Sequence, residues 1–116
     1  MEKFLTFDLP WALSRLGDDS SLLAELARLF IEESRTLMPA LRAAVEQRDA
    51  RAIEIAAHAL KGSVANFGAR EVWQDALALE QSGRGCDLTG IDKRLAAFEQ
   101  SAARFISEMK MLAGEK

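Results

Sequence analysis

His58 is the chain's only histidine; Lys61 stands one helical turn further along and Gly62 directly follows it. An imidazole can serve as nucleophile, general base or ligand, and a lysine at i+3 lies beside it if the segment is helical. The run "AHALKGSVANFGA", Ala57 to Ala69, reads as helix towards its closing glycine. Gly62 then sits mid-helix, where glycine costs roughly 1 kcal/mol relative to alanine. Accepting that cost beside the one imidazole makes sense if clearance matters: with no side chain at 62, something large can approach the ring closely. The chemistry that fits is attack by a ring nitrogen on a group presented by another macromolecule.

Other chemistries find less support. One histidine and one cysteine, Cys86, argue against a protein-only transition-metal site and leave no internal disulfide, so a reducing cytoplasm is the expected compartment. There is no nucleophile elbow and no glycine-rich phosphate loop, so neither a hydrolase triad nor a nucleotide site of its own is expected. The net charge of −3 speaks against a nucleic-acid binder. No signal peptide or membrane-spanning apolar run is present in the sequence.

The elements that must position His58 can be read from periodicity. With 116 residues, 49% hydrophobic and 28% charged, one domain spanning 1–116 is expected. Apolar residues recur at three- and four-residue intervals almost throughout, so the class is all-α. A short helix fits Leu9 to Leu16, with Asp8 as N-cap and Pro10 in its first turn. After "GDDSS" a long helix runs from about Ser20 to Gln47, its predicted inner stripe Leu22, Leu26, Phe30, Leu37, Leu41 and Val45; Pro39 should bend it without ending it. Asp49 caps a third helix with the stripe Ile53, Ala57, Leu60, Val64 and Phe67, ended by Gly68. A fourth begins near Ala69 or Arg70, buries Val72, Ala76 and Leu79, and breaks in "SGRGCD". A fifth follows Asp87 and carries Ile91, Leu95, Phe98, Ala102, Phe105, Met109 and Leu112. Four long amphipathic helices with short links predict an antiparallel up-down four-helix bundle, with the short N-terminal helix covering one end.

At about 100° per residue, with Ile53 as zero, His58 falls near 140°, Lys61 near 80° and Gly62 near 180°. The imidazole should therefore point out of the core, among Ile55, Ala59, Gly62 and Ala65, a smooth patch over which a partner could dock. Ser63 points towards a neighbouring helix instead. If the turn between the third and fourth helices centres on Ala69, Glu80 comes level with His58 and Arg84 with Glu54. A carboxylate accepting from Nδ1–H would fix the tautomer and leave Nε2 as the outward lone pair. Lys61 would offset charge on phosphoryl oxygens, so reversible phosphorylation on Nε2 is the expected activity.

At these residues the sequence resembles the histidine-containing phosphotransfer (HPt) domains of two-component phosphorelays. The likeness runs from His58 through Lys61-Gly62-Ser63, Asn66 and Gly68-Ala69, with Glu80 in "LALE" and the upstream "RLGDDSSLLAELARLF". It implies that His58 is the phosphoacceptor, Lys61 the charge partner, Glu80 the orienting group and Gly62 the clearance residue. It also implies a monomeric carrier without kinase activity, which takes a phosphoryl group from the aspartyl-phosphate of one receiver domain and gives it to another. No cofactor is expected on this chain, Mg2+ belonging to the receiver. Three other readings share the features: a chemotaxis-kinase-type phosphotransfer domain fed by an ATP-binding domain, the phosphoacceptor hairpin of a histidine kinase, and a non-transferring helical adaptor. In the hairpin an acidic residue follows the histidine, whereas here Ala59 does.

Overall fold

The computed structural model of the chain describes residues 4–114. Among these the regular structure is helical: α1 (Leu9–Arg15), α2 (Ser20–Glu46), α3 (Ala50–Ala65), α4 (Arg70–Arg84) and α5 (Ile91–Leu112). The first three helices each start on an aspartate. Asp8, Asp19 and Asp49 accept from the backbone N–H groups of Trp11, Leu22 and Ala52. Each carboxylate satisfies an otherwise orphaned donor and sits at the positive end of its helix dipole. Pro39 lies inside α2, which continues past it. Its missing N–H frees one carbonyl on an exposed face, where water can bond it.

Short connections reverse the chain between successive long helices. α2 to α5 form an antiparallel ring, each packed on its sequence neighbours, and α5 returns to α2. Phe7, Phe30, Phe67 and Phe105 fill one end of the core in edge-to-face contacts, centroids 5.0 to 6.3 Å apart. α1 closes that end: the backbone N–H of Asp8 donates to the Phe67 carbonyl at 3.1 Å. Gly68 makes the closure possible. It turns the chain with φ +66°, and a Cβ there would lie 2.9 Å from the Trp11 ring. The stripes predicted for the third and fourth helices are buried as expected. That of α2 holds in part: Phe30, Leu41 and Val45 are buried as expected, but Leu22 is exposed, Leu26 and Leu37 are half-buried, and Leu23, Ala27 and Ile31 are buried beside them. α2 serves both α3 and α5, so its buried arc is wider than one stripe, and adjacent leucines at 22 and 23 left the choice open.

α3 and α4 approach more closely than any stripe suggests. A Cβ on Gly83 would lie 2.6 Å from the Ala50 carbonyl oxygen and 2.7 Å from the Glu54 nitrogen, both backbone atoms that cannot step aside. This contact draws the end of α4, with Glu80 and Arg84, onto α3. Gly83→Ala should therefore cost about 1–3 kcal/mol by overpacking, measured as a lower urea midpoint. An unchanged midpoint would refute the close approach.

Candidate functional site

α3 turns Ile53, Ala57, Leu60 and Val64 into the core, and so His58 outwards. Its side chain is 68% exposed. Opposite it, one α-helical layer away, Glu80 is only 1% exposed, an uncommon burial for a carboxylate. The predicted level of these two residues is matched by a contact: Nδ1 of His58 lies 2.7 Å from Oε2 of Glu80.

Glu80 is buried because it is surrounded by donors. Oε2 also accepts from Nη2 of Arg84 at 3.0 Å. Nζ of Lys61 stands 2.8 Å from Oε1, an ion pair whose alignment falls short of a hydrogen bond. Burial pushes the Glu80 carboxyl up, but Lys61 and His58 beside it outweigh that and hold it below its usual value. The group is thus an ionised carboxylate, able only to accept. Nδ1 must then carry the proton, and in the neutral ring Nε2 keeps its lone pair on the exposed side.

The network extends along the surface. Nε of Arg84 donates to Glu54 at 3.0 Å, and Arg51 donates to the other Glu54 oxygen at 3.1 Å. The Arg84 hydrogen bond, against a smaller cost of burial, holds the Glu54 carboxyl below its ordinary range. Sequence register paired Arg84 with Glu54 alone. Its second partner, Glu80, was missed although the i,i+4 spacing on one helix was there to be read.

Lys61 is less free than a surface lysine. Its side chain is 21% exposed, tied to Glu80 on one hand and over the Trp73 ring on the other, 5.6 Å from the centroid. Of the smooth patch, Ile55 is 55% exposed, Gly62 and Ala65 are exposed and Ala59 is half-buried. A shallow cleft of about 280 Å³ between α3 and α4 runs up to the imidazole, lined by Arg51, Glu54, Ile55 and Arg84. A larger one, about 490 Å³, lies lower, between Trp11 and Trp73, away from the ring nitrogens. Ser63 turns back into its own helix, donating to the Ala59 carbonyl at 3.1 Å.

Gly62 has nothing within 4 Å of where a Cβ would stand. Folding therefore does not require glycine here. Gly62→Ala should raise stability by about 0.5–1 kcal/mol through helix propensity, while a long side chain at 62 should weaken partner docking without loss of helix content. Thermal unfolding beside a binding titration checks both arms. A destabilised alanine variant, or docking indifferent to bulk, would refute the clearance role.

The geometry can be set beside known proteins. A family model described as Hpt domain matches residues 25–112. The crystal structure of histidine-containing phosphotransfer protein B (HptB) from Pseudomonas aeruginosa PAO1 is similar over 94% of this chain and 95% of that one. Its TM-score is 0.84 at 24% sequence identity, a likeness of fold. No curated protein matches the sequence.

Proposed function

The chain belongs to the Hpt domain family of histidine phosphotransfer carriers, and from that premise we propose that His58 is the residue that accepts and returns the phosphoryl group. The observation that carries this reading is the exposed ring whose Nδ1 is bound to the buried carboxylate of Glu80 at 2.7 Å. Nε2 is the nitrogen left to attack.

In the proposed step the donor is the aspartyl-phosphate of a receiver domain. The Nε2 lone pair forms a bond to phosphorus as the acyl P–O bond breaks, and the electron pair of that bond leaves on the receiver's carboxylate. The Nδ1 proton stays where it is. Positive charge develops on the ring as the N–P bond forms, and the Glu80 carboxylate offsets it from inside the bundle, where a fixed charge counts for more than in water. Lys61 and His58 hold the Glu80 carboxyl below its usual value and so ionised, and the remaining donors of Lys61 can face the phosphoryl oxygens. The reverse step onto a second receiver's aspartate uses the same groups, because nothing on the carrier is consumed.

The smooth surface of Ile55, Ala59, Gly62 and Ala65 is where the receiver would sit, bringing its own Mg2+. The carrier itself would need no cofactor and would work as a cytoplasmic monomer without kinase activity. Among the described residues no helix is long and apolar enough to cross a membrane.

The test is to mix the protein with a receiver domain charged by acetyl phosphate and to follow acid-labile, base-stable label. Label should move onto this chain and off again to a second, uncharged receiver. Label accepted only from an ATP-dependent histidine kinase domain would favour the chemotaxis-kinase type. No label from either source would reject phosphotransfer and leave an adaptor.

A further inference from the structure

Lys61 carries its charge on a flexible stem, and the two groups that restrain it differ in kind. Glu80 would neutralise it: Nζ and Oε1 are 2.8 Å apart. A lysine held by a carboxylate alone is drawn into the buried pair, and its charge is spent there. The other restraint is Trp73, whose ring centroid is 5.6 Å from Nζ, inside the ~6 Å reach of a cation–π contact. Trp73 and Glu80 are seven residues apart on α4, about two turns, so both stand on the face that α4 turns towards Lys61. The indole attracts the ammonium through its quadrupole, with no formal charge of its own. Trp73 is itself half-buried and packed on the core, so its ring is held in place.

We propose that Trp73 is a positioning residue: its ring holds the Lys61 ammonium on the His58 face while leaving the positive charge available to an incoming phosphoryl group. The inference rests on the relay reading of the site. An ammonium has three donors; the ion pair with Glu80 occupies one side of it, the ring face screens another, and the rest remain for phosphoryl oxygens. Without the ring the stem regains its rotamers, and the charge is either pulled fully onto Glu80 or released to water.

Phosphoramidate is a suitable probe, because so small a donor needs no docking surface. Nε2 forms its bond to phosphorus as the P–N bond breaks, and ammonia leaves with the electron pair. Trp73→Leu should slow uptake about three- to tenfold at saturating donor, and Trp73→Phe, which keeps a ring face, should recover most of the rate. In a Lys61→Ala background Trp73→Leu should have no further effect, since the ring acts only through the lysine. An equal loss in both backgrounds, or a change in apparent KM alone, would overturn the inference and leave the relay reading standing. Absence of label on the wild type would instead overturn the relay reading, and this inference with it. If Trp73→Leu does not fold, the ring-current shift of the Lys61 ε-methylene protons in the wild type decides: upfield supports the contact, unshifted refutes it.

Discussion

His58→Gln is expected to take up no phosphoryl group at all, from a charged receiver or from phosphoramidate. The loss should be complete, because glutamine's amide nitrogen has no available lone pair and no other imidazole exists on the chain. The fold should hardly notice. The side chain is 68% exposed, and substitutions at such positions usually stay within about 0.5 kcal/mol of wild type. Glutamine can also donate its amide N–H to Glu80, so the buried carboxylate keeps a partner. Labelling and thermal unfolding of the same preparation check this together. Label on a folded His58→Gln would move the acceptor elsewhere.

Glu80→Leu should give the second-largest effect, a loss of about ten- to a hundredfold in the rate of transfer, as is usual when a partner that orients a reactive imidazole is removed. Two contributions are lost at once: the group that fixes Nδ1–H and the charge that offsets the developing cation. Glu80→Gln separates them. Its carbonyl oxygen can still accept from Nδ1, so it should retain much more of the rate than leucine; equal losses in the two variants would deny the orienting role.

Stability against pH carries a related signature. The Glu80 carboxyl titrates below its ordinary value in the fold, because the opposing cost of burial is outweighed by Lys61 and His58. The native state therefore holds fewer protons than the unfolded chain in acid. Its stabilisation is complete above the ordinary glutamate value of about 4.3, and is lost as pH falls through the lower folded value. Glu80→Gln should flatten the acid limb of the stability curve relative to wild type. A superimposable acid limb would show that the carboxylate contributes nothing there.

The helices and the outward face of His58 were legible from the sequence because they depend on local rules. Aspartate caps at 8 and 49, the "GDDSS" break and three- to four-residue periodicity need no knowledge of neighbours. The level of Glu80 against His58 followed from hairpin register, since the turn between their helices is short. What depends on the distance between helices was not legible. Gly83 reads as one more glycine in a loop-like run, and only the two backbones show that it sits against Ala50 and Glu54. The inner face of α2 is shifted by one residue at its start, where Leu23 and not Leu22 is buried, since the two are equally apolar and two neighbouring helices compete for the face. Lys61 reads from the sequence as the charge partner of a phosphoryl group, but its two tethers come from α4, seven residues apart, and no local pattern shows them. The double engagement of Arg84 mixes a local signal with a tertiary one, and the tertiary half alone was foreseen.

The central claim is that Glu80 keeps the proton on Nδ1 and so leaves Nε2 bare to solvent. With a single histidine in the sequence, a two-bond proton–nitrogen NMR correlation of 15N-labelled protein at mildly alkaline pH reports one imidazole without ambiguity. The spectrum should show a protonated Nδ1 and a pyridine-like Nε2. The opposite tautomer, with hydrogen on Nε2, would contradict the account.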